Sequence, residues 1–214
     1  MKYQTILFDM DGTVLDTVDD LADAINVTLQ KYDRPTVTRQ RVTDGTGNGA
    51  RVLVAKCLDR GYDDPDYEAV YTDYRAYYAA HSLIKTAPYP GTVETLRKLQ
   101  DRGVKVAIVS NKPHEAVLAL AEKLFPGIPS FGEQPGIPRK PAPDMVRHAM
   151  AAIGAEDGAA AYVGDSEVDV ETADRCGLDF IGVSWGFRGR EKLLKAAPGA
   201  TVVDDWEKFL EVIR

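Results

Sequence analysis

Ile6-Leu7-Phe8-Asp9-Met10-Asp11-Gly12-Thr13 is the stretch that decides the fold. Three apolar residues run into an aspartate, the pattern of a buried strand that ends at a polar edge. Asp9 and Asp11 stand two residues apart on an extended segment and so point to the same side. Two close carboxylates repel, and the pair asks for a cation or a shared proton. Gly12 lets the chain turn tightly just after them. A polar strand-to-helix turn would use the same residue types. A calcium loop would place its glycine after three ligand positions, not two.

Outward from this stretch, Thr17 and Asp20 resemble a helix N-terminal capping pair. Val18, Leu21, Ala22, Ile25 and Leu29 follow at helical spacing. Further helical patterns run from about residue 49 to 60 and from 66 to 81. The latter carries Tyr67, Tyr71, Tyr74 and Tyr78 on one face, where packing is the expected role. After Pro88-Tyr89-Pro90-Gly91 strand and helix alternate, with strands expected at 104–109, 162–163, 180–183 and 201–203. Such alternation implies an α/β fold, a Rossmann-like parallel sheet with helices on both faces. The all-helical segment 16–87 then reads as an inserted cap domain. Residues 1–15 and 88–214 form a discontinuous core.

Four polar clusters remain outside the core pattern: Asp9 to Thr13, Ser110-Asn111-Lys112, Lys140-Pro141, and Gly164-Asp165-Ser166 with Asp169. Three of them directly follow an expected strand, and ligands bind at the carboxyl edge of an open parallel sheet. Asp9, Asp11 and Asp165 would suit Mg²⁺, a hard cation that takes few protein oxygens. Ser110 and Asn111, at a strand end before a helix, would cradle a phosphate or merely cap that helix. Lys140, in a proline-constrained loop, would neutralise charge.

Acidic residues number 33 and basic ones 26, a net charge of −7. That sign disfavours nucleic acid and anionic membrane as partners, and a phosphate site must be built by local groups. No apolar run is long enough to span a bilayer. The N-terminus lacks a signal-peptide layout, and Cys57 and Cys176 stand in no metal-like spacing. A soluble, cytoplasmic protein is expected, with two buried thiols. His81, His114 and His148 are expected at the surface without partners.

The segment Asp9-Met10-Asp11-Gly12-Thr13-Val14-Leu15-Asp16-Thr17 resembles the first signature of haloacid dehalogenase-type phosphatases. Ser110-Asn111-Lys112, Lys140-Pro141-Ala142-Pro143 and Gly164-Asp165-Ser166-Glu167-Val168-Asp169 resemble the second, third and fourth, in the family's order. The resemblance covers the whole chain, and the helical insert is similar to the family's first type of cap. It implies Asp9 as a nucleophile that forms an aspartyl phosphate, and Asp11 as the acid and then the base. It implies Mg²⁺ held by Asp9, the Asp11 backbone carbonyl and Asp165, with Ser110 and Lys140 on the phosphoryl oxygens. An acid at position 11 separates phosphatases from the dehalogenases proper. Asp44 to Leu53 is similar to the glycine-rich cap loop of phosphoglycolate phosphatases. There Gly47 and Asn48 would approach a small anion, and Arg51 would contact a carboxylate. Another small phosphate ester or pyrophosphate remains an alternative substrate. A non-catalytic phosphate-binding regulatory protein remains the alternative of a different class.

Overall fold

The computed structural model describes residues 1–155 and 159–214. The chain opens with β1 (Thr5–Phe8) and the short β2 (Leu15–Asp16), then four helices: α1 (Val18–Lys31), α2 (Arg39–Gly45), α3 (Ala50–Cys57) and α4 (Tyr67–His81). The short β3 (Ala87–Pro88) leads to α5 (Thr92–Asp101), β4 (Lys105–Pro113), α6 (His114–Leu124) and β5 (Ser130–Glu133). Then come α7 (Asp144–Ala152), β6 (Ala160–Gly164), α8 (Glu167–Cys176) and β7 (Asp179–Val183). The last elements are α9 (Gly189–Ala196), β8 (Thr201–Val203) and α10 (Trp206–Val212).

Six strands form one parallel sheet in the order β5-β4-β1-β6-β7-β8. Period-two alternation sorts β1 between two apolar layers. Ile6 and Phe8 pack with Leu96 of α5, Leu120 of α6 and Phe209 of α10. Leu7 packs on the other face with Met145 and Val146 of α7 and Ala173 of α8. A strand buried on both faces must be continuously apolar, which is why β1 and β4 are legible as runs.

The helices α1 to α4 bury their own apolar cluster, including Leu21, Ile25, Leu53, Val70, Tyr74 and Tyr78. Fully burying such a side chain is worth about 1.5–3 kcal/mol. Tyr67, Tyr74 and Tyr78 are buried and Tyr71 packs against them, so the tyrosine face of α4 does serve packing. The chain passes between the sheet and the four helices twice, where β2 and β3 pair antiparallel through Leu15 with Pro88 and Asp16 with Ala87.

Several local expectations are corrected. Thr17 makes no cap; its hydroxyl donates to Asp11 Oδ1 at 2.8 Å. Asp20 is buried and accepts from the backbone N–H groups of Ile84, Lys85 and Thr86, at 2.8–3.1 Å. It thus ties α1 to the returning strand instead of capping its own helix. Cys57 is buried, whereas Cys176 is half-buried. His114 is half-buried, and its Nδ1 accepts from the Gly132 N–H at 3.1 Å. His81 is also half-buried; its Nδ1 lies 2.7 Å from the carbonyl of Tyr77, on whose ring it stacks. Among the described residues no helix is long and apolar enough to cross a membrane.

Candidate active site

Three neighbouring strands deliver the polar groups. In the order β4-β1-β6, their carboxyl ends carry Ser110, Asp9 and Asp165. The chain leaves β1 on one side for β4 and later returns on the other for β6, so a topological switch point lies here, and a crevice opens at such a point. The Asp9 N–H still donates to the Val163 carbonyl at 2.9 Å, which fixes the aspartate at the last rung of the ladder. The register of β4 against β5 shifts between Val109 and Pro113. Irregular pairing of this kind re-aims side chains next to sites, and Ser110, Asn111 and Lys112 all lie within it.

After Asp9 the chain folds back on itself. The N–H groups of Thr13, Val14 and Leu15 all donate to the Met10 carbonyl, and Gly12 takes a φ of +84°. The Asp11 carboxylate has partners of its own. Its Oδ1 accepts from Thr17, and its Oδ2 lies 3.1 Å from Lys112 Nζ. The carboxylates that converge are instead Asp9, Asp165 and Asp169, each offering an oxygen within 4.8 Å of the others.

Lys140 lies beneath this cluster, 1% exposed. Its Nζ sits 2.9 Å from Asp9 Oδ1, 2.9 Å from Asp169 Oδ1 and 2.7 Å from the Tyr162 hydroxyl. That hydroxyl in turn donates to the Val109 carbonyl. Three acceptors satisfy the three donors of an ammonium. Burial alone would push the Lys140 ammonium toward neutrality. The charges of Asp169 and Asp9 outweigh burial and hold it well above the ordinary lysine value. Asp169 also accepts from the N–H groups of Asp165 and Ser166 and from the Ser166 hydroxyl, forming a capping box on α8.

One ammonium faces three buried carboxylates, so the cluster lacks positive charge. Burial pushes the Asp9 carboxyl up to about 7, with the Asp169 and Asp11 charges adding to it and Lys140 opposing. Burial, Asp169 and Asp9 push Asp165 well above the carboxylate range. All-oxygen donors with an unmet negative charge suit a hard divalent cation. Asp165 Oδ2 also accepts from the Phe187 N–H at 2.6 Å, which fixes its orientation.

A cavity of about 90 Å³ opens above Asp9 and Asp11. Its far wall comes from the helical segment through Thr46, Gly47, Gly49, Leu53, Tyr74 and Tyr78. The Asn111 side-chain amide donates to the carbonyls of Gly47 and Lys140, and among the described residues its buried Oδ1 meets no partner. Gly47 therefore touches the site through its carbonyl. Asn48 is half-buried in the same loop but is not among the residues lining the cavity, and the N-cap residue before α3 is Gly49.

Arg51 departs most from its expected place. Its guanidinium grips the Glu68 carboxylate at 2.7 and 3.2 Å and lies over the Tyr71 ring at 4.3 Å. The helix that turns Ala50 and Leu53 toward the cavity turns Arg51 toward α4. The buried cation lining the cavity is Lys112, to which the sequence assigns no role. Its signal is its place in the Ser110-Asn111-Lys112 cluster that follows an expected strand.

The chain matches the model of the haloacid dehalogenase-like hydrolases over residues 6–183. It is 33% identical over 216 residues to a phosphoglycolate phosphatase of Pseudomonas syringae pv. syringae, covering 96% of this chain and 78% of the relative. A phosphoglycolate phosphatase of Aliivibrio fischeri is 32% identical, over 96% of this chain and 93% of the relative. A crystal structure from Lactobacillus delbrueckii subsp. bulgaricus, described as a candidate phosphoglycolate phosphatase, superposes with a TM-score of 0.90 at 37% identity, over 100% of this chain and 99% of the other. Signatures, sheet order and similarity agree: the chain is an enzyme of the haloacid dehalogenase-like hydrolase family.

Proposed function

We propose that this phosphatase hydrolyses 2-phosphoglycolate in two steps, with Asp9 as nucleophile and Mg²⁺ as cofactor. Asp9, Asp165 and the backbone carbonyl of Asp11 would hold the ion. When bound it supplies the positive charge that the buried cluster lacks and screens an incoming phosphate from Asp9. In the first step an Asp9 carboxylate oxygen bonds to phosphorus, the ester P–O bond breaks, and Asp11 gives its proton to the leaving alkoxide. In the second, Asp11 takes a proton from water, the new hydroxide bonds to phosphorus, and the acyl phosphate opens to phosphate and free Asp9. Lys140 keeps Asp9 in place from below, while the Ser110 hydroxyl and the amides after Asp9 bind phosphoryl oxygens. Placement and preorganised charge supply most of the acceleration.

The observation that carries this reading is Lys140 bridging Asp9 and Asp169 beneath a negatively charged, cavity-facing cluster. The small cavity and the names of the relatives support a small ester such as 2-phosphoglycolate. The test is phosphate release from 2-phosphoglycolate, other small phosphate esters and pyrophosphate, with and without Mg²⁺, on wild type and Asp9→Asn. Release that needs both Mg²⁺ and Asp9 and favours 2-phosphoglycolate is expected. Release that survives Asp9→Asn sinks the mechanism, and a preference for another ester sinks the substrate.

A further inference from the structure

We infer that Lys112 and Tyr78 form a paired donor site for a carboxylate on the leaving half of the substrate. The inference rests on the phosphatase reading above and names the residues that give it selectivity. Lys112 comes from β4, Tyr78 from α4, and both line the cavity.

The Lys112 side chain is 3% exposed. Its Nζ donates to the Tyr78 hydroxyl at 2.9 Å, lies 4.4 Å from the centre of that ring, and is 3.1 Å from Asp11 Oδ2. An ammonium carries three donors. Among the described residues two acceptors stand within reach, so one donor remains for a ligand. The Tyr78 hydroxyl accepts from Lys112, and among the described residues its own proton meets no acceptor. Burial, with the charges of Asp11 and Asp20, holds that hydroxyl protonated. Two donors therefore stand side by side on the cavity wall, one of them charged.

Their place sets what they can bind. The leaving oxygen must come to Asp11 to receive its proton. A group on the carbon bearing that oxygen then falls beside Asp11, where the ammonium sits. A carboxylate at that carbon can take one hydrogen bond from Lys112 and one from Tyr78, an arrangement that charge assistance strengthens. Elsewhere the wall is apolar at Leu21, Ala50, Leu53 and Ala79, and its neutral polar side chains include Thr46, Tyr74, Ser110 and Asn111, none of which matches the charge of a carboxylate. Arg75, the other cation lining the cavity, is half exposed and 3.8 Å from Glu115. The site thus favours phosphate esters of small 2-hydroxy acids over neutral esters of the same size.

The test compares kcat/KM for 2-phosphoglycolate with that for its neutral amide isostere, in Mg²⁺, on wild type, Lys112→Met, Lys112→Arg and Tyr78→Phe. Because Lys112 also touches Asp11, the readout is the acid-to-amide ratio, not the rate. Wild type should favour the acid. A hydrogen bond to a charged group is worth roughly 10- to 100-fold. Lys112→Met should reduce the ratio by about that factor, Tyr78→Phe by roughly tenfold or less, and Lys112→Arg should restore part of it. A wild-type ratio in both Lys112→Met and Tyr78→Phe overturns the inference, and Tyr78→Phe decides alone if Lys112→Met does not fold. Calorimetric binding of 2-phosphoglycolate to Asp9→Asn, with and without Lys112→Met, separates the two readings. No turnover with binding weakened by Lys112→Met removes only the phosphatase reading. No turnover with unchanged binding removes both.

Discussion

Arg188 donates through Nη1 to the carbonyl of Thr43 at 2.8 Å, joining the loop after β7 to the last turn of α2. Its Nη2 reaches the Thr46 carbonyl at 2.9 Å and its Nε the Glu167 carboxylate at 3.0 Å, leaving the side chain 6% exposed. A helix C-terminus presents unpaired carbonyls and partial negative charge, which a guanidinium satisfies. The preceding N–H, from Phe187, holds Asp165. One short loop therefore touches both the carboxylate cluster and the helical segment beside Gly47. Arg188→Ala should loosen the cover over the cavity. KM for the substrate should rise by roughly tenfold, the value of one charged hydrogen bond. Amide exchange over residues 43–49 should accelerate. Arg188→Lys should recover little, because the two carbonyls need a fork. Unchanged exchange in Arg188→Ala would show that these hydrogen bonds do not hold residues 43–49 in place.

Metal and pH should act on the same cluster. Asp9 is raised from 3.8 to about 7, mainly by burial, so the folded protein binds more protons than the unfolded chain in that window. Stability of the metal-free protein should therefore fall as pH rises from about 4 to about 7, by up to roughly 4 kcal/mol from this group. Asp9→Asn should remove that part of the slope. Mg²⁺ at 100 times its Kd should restore about 2.7 kcal/mol near neutral pH. Thermal and denaturant unfolding across pH, with and without Mg²⁺, measure both effects. A slope identical in wild type and Asp9→Asn would contradict the assignment.

Lys140 tests the charge balance directly. Lys140→Met leaves Asp9 and Asp169 facing each other across a buried, uncompensated site. Breaking a buried pair of this kind costs about 3–5 kcal/mol. Unfolding in urea at neutral pH should show the loss, and Asp169→Asn in the Lys140→Met background should return part of it. Phosphate release should drop by at least roughly 100-fold, because a preorganised donor at the nucleophile is gone. Full activity in Lys140→Met would remove Lys140 from the reaction.

The sheet was legible because its central strands are buried on both faces and so appear as unbroken apolar runs, such as Val106 to Val109. The edge strand β5 escaped notice because Ser130-Phe131-Gly132-Glu133 mixes small, aromatic and charged residues. Helices α2 and α9 escaped for a related reason. Arg-Gln-Arg-Val-Thr-Asp-Gly and Gly-Arg-Glu-Lys-Leu-Leu-Lys-Ala are short and expose most of their length, so neither shows an apolar stripe. Motif spacing brought Asp9, Ser110 and Asp165 to one edge, since strand ends place them. It could not orient Asp11, whose direction depends on a turn that folds back onto Met10. Nor could it place Arg51 and Lys112. Which face of α3 meets the cavity depends on how α3 packs on α4, and Lys112, within the irregular stretch of β4, is buried against Tyr78 of α4.

Gly12 shows how closely the turn after Asp9 is fitted to the cluster. Its φ of +84° lies where side chains are disfavoured, and a Cβ built there would stand 2.5 Å from Asp165 Oδ2. The strain of a non-glycine residue in this region is of order 1–3 kcal/mol. The collision adds to it, because Asp165 is already fixed by the Phe187 N–H and cannot yield without leaving the site. Gly12→Ala should therefore cost more in metal binding than in folding. Unfolding in urea should report a loss of about 1–3 kcal/mol, while the Mg²⁺ needed for half-maximal stabilisation should rise at least tenfold. Gly103→Ala is the control, since Gly103 also has positive φ but its Cβ would meet nothing within 4 Å. It should lose stability from strain alone and keep its Mg²⁺ dependence. If both variants shift the Mg²⁺ midpoint equally, the contact between Gly12 and Asp165 has no bearing on the cation site.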